Sequence, residues 1–202
     1  MKIKAIQVTG MALLEVRLLT VEEYHRMGEV GILDPDEQVE LIEGQIVKKP
    51  VKGKAHSAAN KHVEKLLETR LGDQVLVRLQ DPIQLSNFSE PEPDIAVVKP
   101  NPLFYEDHHP TSDEVYLIIE VADTSLNRDT EIKAKTYAKS GIIDYWVLDV
   151  SNRQLYIFRE PSQDGYQNQM ILSDDDVISL LAFPTCSMVV KEMLRPTNIS
   201  YR

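Results

Sequence analysis

A chain of 202 residues, 43% of them hydrophobic and with charge spread along its length, is long enough to bury a core of its own and too apolar to stay disordered. No apolar stretch is long enough to span a bilayer, and the single cysteine, Cys186, excludes an internal disulfide or a thiolate metal cluster and fits a reducing, cytoplasmic setting. The formal net charge of −10 weighs against nucleic acid as a partner unless basic groups are segregated. Lys48, Lys49, Lys52, Lys54, Lys61 and Lys65 do cluster in sequence, while acids concentrate at Asp174-Asp175-Asp176 and between Asp34 and Glu43.

Residues 1–18 read as an N-terminal extension. The start Met1-Lys2-Ile3-Lys4 and the mildly apolar run after it have the look of a signal peptide, but Glu15 and Arg17 interrupt the run and no small-residue cleavage site follows. An extra strand or a loose tail is expected there. Residues 19–194 read as one domain, and 195–202 as a tail with little reason to be ordered.

Thr20-Val21-Glu22-Glu23 has the spacing of a capping box, which predicts a short helix to about Met27, broken by Gly28 and Gly31. Residues 38–47 alternate around Glu43-Gly44 and predict a hairpin. Glu40 sits just before its turn, either as an exposed edge acid or as a site residue. A basic connection, Lys49 to Lys54, leads into a long helix with Ala59, Val63, Leu66 and Leu67 on one face and Gly72 as its C-cap. His56 near its start could touch phosphate or a metal, but ordinary hydrogen bonds suffice to explain it.

Val75 to Leu79 reads as the first core strand. Pro93 to Val98 and Val115 to Val121 are continuous aliphatic runs, the pattern of strands buried on both faces. Each carries a carboxylate at one end, Asp94 and Glu120, and a charge in such a place has to be paired, metal-bound or functional. The loop 100–113 contains His108-His109, but adjacent side chains in an extended loop point apart, which disfavours a shared metal. A helix is expected from Asp129, its N-cap, to Gly141. Strands at Tyr145 to Asp149 and Leu155 to Arg159 follow, joined by a hairpin turn at Ser151-Asn152-Arg153. Tyr145 and Trp146 read as core residues. Val177 to Phe183 and Met188 to Leu194 read as a covering strand and a short helix.

If the runs ending in Asp94 and Glu120 are neighbours, two carboxylates lie within a few ångströms. Their repulsion raises one pKa unless a cation sits between them. Two carboxylates, a backbone carbonyl such as that of Val121 and water are the oxygen ligands that Mg2+ or Mn2+ prefers.

The order Pro-Asp, then Glu late in an apolar strand, then Lys on the next helix resembles the PD-(D/E)xK phosphodiesterase superfamily. Five segments in order, Leu19 to Tyr24, Glu40 to Gly44, Glu92-Pro93-Asp94, Ile119-Glu120-Val121 and Ala138 to Trp146, resemble more closely the Uma family of predicted restriction endonucleases, from about Leu19 to about Leu194. The resemblance implies an α/β (α+β) fold with a mixed central sheet flanked by helices, preceded by an N-terminal helix and β-hairpin. It also implies a divalent-metal-dependent endonuclease acting on DNA, with Glu40, Asp94, Glu120 and Lys133 in the catalytic set and Asp94, Glu120 and Val121 holding Mg2+ or Mn2+.

The chain departs from the superfamily pattern in having no lysine two residues after Glu120. Lys133 on the following helix is the matching position, and its flexible stem can reach back. Lys135 points about two hundred degrees away. The other class of answer is a catalytically silent nuclease-fold protein, binding DNA or a protein partner or forming a homodimer. The acidic balance and the lack of a helix-turn-helix or zinc finger are what it explains.

Overall fold

The structure, a computed structural model, describes residues 3–6, 14–50 and 52–196. The chain forms two compact units, one of residues 1–50 and 84–91, the other of residues 51–83 and 92–202.

In the smaller unit, β1 (Ile3–Ile6) and β2 (Leu14–Arg17) pair antiparallel, so the extension supplies a strand pair. Helix α1 (Val21–Glu29) opens on the predicted capping box, with Thr20 Oγ1 accepting from Glu23 N at 3.1 Å and Glu23 Oε2 accepting from Thr20 N at 3.0 Å. The helix runs past Gly28, which is tolerated inside it. The chain turns instead at Gly31, where φ is +74°. β3 (Val39–Ile42) and β4 (Gln45–Lys48) form the expected hairpin. Its two turn residues, Glu43 and Gly44, both adopt left-handed φ, as a type I′ turn requires. A Cβ on Gly44 would lie 2.5 Å from Leu18 Cβ, so no other residue fits. Glu40 is buried on β3, which removes the exposed-edge alternative.

The larger unit holds a six-stranded mixed sheet in the order β10-β9-β8-β7-β6-β5. Helix α2 (Lys54–Leu71) precedes β5 (Leu76–Leu79), β6 (Ile95–Val98) and β7 (Val115–Ala122), each antiparallel to the next. From β7 the chain crosses over through a π-helical stretch, Arg128–Lys133, and α3 (Ala134–Lys139) to β8 (Asp144–Asp149), which runs parallel to β7. β9 (Gln154–Ser162) and β10 (Gly165–Ser173) complete the sheet as antiparallel hairpins. This is the mixed, helix-flanked α+β architecture that the family resemblance implies.

Successive side chains of a strand face opposite ways, and the two faces of the sheet have different partners. Ile95, Val97, Leu117, Ile119, Trp146 and Leu148 pack with Val63, Leu67 and Leu71 of α2. The alternate set includes Tyr145, whose ring lies 4.9 Å from that of Tyr137 on α3, and Phe158, and the two lie 6.0 and 5.8 Å from the ring of Tyr166.

Four expectations need correction. β5 is an edge strand, half-buried throughout, and not a core strand. β7 continues two residues beyond Glu120. β10 was not predicted: its sequence, Gly-Tyr-Gln-Asn-Gln-Met-Ile-Leu-Ser, exposes Gln167, Gln169, Met170, Ile171 and Ser173, so polar and apolar residues do not alternate and there is little periodic signal. The C-terminal region is a strand pair, β11 (Val177–Ser179) with β12 (Ser187–Val189), followed by one 3₁₀ turn. Ile178, Leu180, Met188, Val190 and Met193 join the α2-side core. Of the expected tail, the Arg195 carbonyl is held by Arg153 at 2.9 Å, and residues 197–202 lie outside the described residues.

Candidate active site

Pro93 has no N–H to give to a ladder, and β6 begins only at Ile95. The pairing Ile95↔Ile119, extended by one step, places Asp94 directly opposite Glu120, and directly opposed residues of an antiparallel pair share a face. Val121 N donates to the Asp94 side chain, at Oδ2, at 3.0 Å. A strand residue's N–H and C=O point to the same edge, so the Val121 carbonyl also faces the Asp94 side.

The other oxygen of Asp94 is approached from two elements. On α2, His56 Nε2 lies 2.8 Å from Oδ1 and Asn60 Nδ2 donates to it at 3.3 Å. Gln80, at a left-handed φ of 55°, donates from Nε2 at 3.3 Å. Burial alone would push the Asp94 carboxyl up. The His56 hydrogen bond and charge, the Val121 N–H and the Lys133 ammonium together outweigh it and hold the carboxyl down at about 2. Asp94 is therefore a carboxylate across the neutral range.

Glu120 is 2% exposed and Lys133 3%. Lys133 Nζ donates to Glu120 Oε1 at 2.9 Å, and Tyr137 Oη donates to the same oxygen at 2.8 Å. Lys135 is exposed. A local change of helix winding accompanies this. The Ala134 N–H reaches the Asp129 carbonyl, five residues back, and Tyr145 Oη donates to the same carbonyl at 2.9 Å. Such wide turns inside helices are rare and recur at functional sites.

Asp129 is not an N-cap. Its own N–H already bonds the Ser125 carbonyl at 3.0 Å, so the helix begins earlier. Its side chain accepts from Ser125 Oγ. Burial pushes the Asp129 carboxyl up against the Ser125 bond and the Lys133 and Arg128 charges, with Asp94 adding to the rise.

The larger unit thus brings together Asp94, Glu120, Val121 and Lys133, while Glu40 belongs to the smaller unit. His108 is tied to Asp107 and Glu114 in an exposed loop, and Tyr145 and Trp146 are fully buried. Among the described residues, His56, Asp94 and Glu120 do not bring three ligand atoms within 4.8 Å of one another. The oxygen set for a cation is therefore Asp94, Glu120 and the Val121 carbonyl. Two buried carboxylates and a backbone carbonyl are oxygen donors of the kind a hard cation prefers, so these groups fit Mg2+ or Mn2+.

Asn60, Gln80, Tyr137 and the link from His56 to Asp94 are not part of the sequence-derived set. One signal was available. His56, Asn60, Val63, Leu67 and Leu71 follow helical spacing, so the apolar stripe of α2 continues N-terminally as two polar residues.

A mixed six-stranded sheet flanked by helices, with two buried carboxylates on neighbouring strand segments and a lysine from the crossover helix, is an α+β domain. The same fold is seen in a crystal structure described as "a putative nuclease belonging to DUF820 from Anabaena variabilis", with a TM-score of 0.65 over 87% of this chain and 97% of that one, at 17% identity. The pattern that defines the Uma2 family, described as "Putative restriction endonuclease", matches residues 21–191. The chain belongs to that family. No curated protein matches it.

Proposed function

We propose that this protein is a divalent-metal-dependent endonuclease that hydrolyses phosphodiester bonds of DNA in the cytoplasm. The observation that carries the reading is the buried Asp94–Glu120 pair, with Asp94 just before β6 and Glu120 on the neighbouring β7, and Lys133 donating to Glu120 at 2.9 Å. Asp94, Glu120 and the Val121 carbonyl would hold Mg2+ or Mn2+, which supplies a more acidic water and neutralises charge on the phosphate.

The chain's own groups do the rest. Lys133 shares its N–H donors between Glu120 and a phosphate oxygen, and so stabilises charge that develops in the transition state. Tyr137 fixes Glu120 Oε1, so that the carboxylate does not swing when Lys133 moves. His56, Asn60 and Gln80 fix Asp94. The lysines of α2 support a nucleic-acid substrate: Lys54, Lys61 and Lys65 are all exposed, in a chain that is otherwise acidic. Glu40 joins the catalytic set on family resemblance, and Glu40→Gln tests it separately.

Plasmid DNA incubated with Mg2+ or Mn2+ should be nicked by the wild type. Asp94→Ala, Glu120→Ala and Lys133→Ala should each lose at least about a hundredfold in rate. Calorimetric titration with Mn2+ should show binding lost in both carboxylate variants and kept in Lys133→Ala. Nicking that persists in all three variants refutes the site. The net charge of −10 favours a second reading, a silent nuclease-fold binding protein, and an absence of nicking with any metal, despite intact Mn2+ binding, would support it.

A further inference from the structure

Asn60 occupies a position on α2 where an apolar residue would cost less. It lies inside the helix, on the buried stripe that continues through Val63, Leu67 and Leu71, and asparagine is a weak helix former. The residue is 3% exposed. Its Nδ2 donates to Asp94 Oδ1 at 3.3 Å, while its Oδ1 is buried and, among the described residues, has no hydrogen-bond partner. A buried acceptor left unsatisfied is a net cost. Turning the amide over does not remove it, because the Asn60 oxygen would then face the ionised Asp94 carboxylate and the donor would be lost.

Gln80 shows what is particular to Asn60. It donates to the same Asp94 oxygen over the same distance, 3.3 Å, and His56 meets that oxygen at 2.8 Å. Gln80 is half-buried and leaves no buried side-chain atom unpaired. Asp94 Oδ1 is therefore supplied with donors apart from Asn60, and the distinguishing feature of Asn60 is its oxygen.

We propose that Asn60 Oδ1 accepts a hydrogen bond from a water in the coordination shell of the cation that Asp94 holds, and so sets the affinity of the site for that ion. This deepens the metal-site reading given above and rests on it. Asp94, Glu120 and the Val121 carbonyl fill only part of an octahedral shell, and Mg2+ gives up its waters reluctantly, so several remain on the ion. A water on a cation is a strong hydrogen-bond donor. The amide of Asn60 already touches Asp94 through its nitrogen, which leaves its oxygen for a water beside the same carboxylate. One side chain then fixes a protein ligand with one end and a water of the same ion with the other. Side chains that support a metal's ligands in this way are worth about ten- to a hundredfold in affinity.

Calorimetric titration of the full chain with Mn2+, paired with melting temperatures in EDTA, tests the assignment. Asn60→Leu is close in size and has no polar atom. It should raise the Mn2+ dissociation constant at least about tenfold, yet melt no lower than the wild type in EDTA, because the unpaired oxygen leaves together with the amide. Asn60→Ala should weaken Mn2+ alike, which guards against a packing fault of the leucine. Gln80→Leu removes an equivalent donor from Asp94 Oδ1 and so measures the donor's share, which the Asn60 variants should exceed at least about fivefold. Asn60 variants that weaken Mn2+ no more than Gln80→Leu overturn the proposal, since Asn60 would then act only through its nitrogen. So does a fall in the EDTA melting temperature with unchanged Mn2+ affinity, which would give the oxygen to a structural water. Mn2+ binding that survives Asp94→Ala refutes instead the metal site itself.

Discussion

Two helices each grip one carboxylate with a pair of side chains four residues apart, and they do so with different chemistry. On α2, His56 and Asn60 meet Asp94 Oδ1. On the crossover helix, Lys133 and Tyr137 meet Glu120 Oε1. Spacing of four puts both members of a pair on one face, so the same backbone device serves twice. Asp94 is held redundantly, by an imidazole, two side-chain amides and a backbone N–H. Glu120 Oε1 takes an ammonium and a phenol hydroxyl. Several converging donors keep a carboxylate ionised and fixed, whereas an ammonium on a flexible stem can be shared with a substrate.

The largest effect should come from removing that cation. In metal-free protein, Lys133→Met takes the ammonium from the buried Glu120 carboxylate, and one-sided removal of a buried ion pair costs about 3–5 kcal/mol. His56→Ala leaves Asn60, Gln80 and Val121 still donating to Asp94, and should cost about 1–2 kcal/mol. Urea denaturation in EDTA measures both. Equal losses would mean that the two grips do not differ in the way the hydrogen bonds suggest.

The acid limb of stability sharpens the same contrast. The folded state holds Asp94 at about 2, below the ordinary aspartate value. Its stabilisation, on the order of 2 kcal/mol, is complete above about pH 4 and fades as the pH falls toward 2. Asp129, whose burial raises its carboxyl, works the other way, and its unfavourable contribution grows as the pH rises through the folded value. In EDTA, Asp94→Asn should flatten the loss of stability between about pH 4 and 2, and Asp129→Asn should relieve some instability near neutrality. A wild-type slope retained in Asp94→Asn would assign the acid limb to other carboxylates.

What the sequence revealed and what it hid divide along a physical line. Aliphatic runs announced β6, β7 and β8, because strands buried on both faces need no alternation. Asp94 and Glu120 stood out because a charge has no cheap place in such runs. The capping box fixed the start of α1 to the residue, since it rests on a local hydrogen-bond pair. Gln80 could not be foreseen: its donor reaches Asp94 only through a left-handed φ, and nothing about a glutamine advertises that conformation. The wide turn before α3 was hidden too, because it depends on Tyr145 Oη, sixteen residues away, competing for the Asp129 carbonyl. Reading Asp129 as an N-cap followed from residue type alone, and Ser125, four residues earlier, opens the helix.

The smallest expected effect tests whether that wide turn aims the helix as the hydrogen bonds indicate. Lys133 and Lys135 are two residues apart, yet one is 3% exposed against Glu120 and the other faces solvent. Lys135→Gln should therefore change stability by less than about 0.5 kcal/mol and leave nicking at the wild-type rate, because an exposed helix charge contributes little beyond its neighbours' screening. A sizeable loss of nicking in Lys135→Gln, with its melting temperature unchanged, would mean that the helix turns on substrate binding and that the second lysine takes over the phosphate. The ion pair between Lys133 and Glu120 would then be a resting arrangement that the working enzyme breaks.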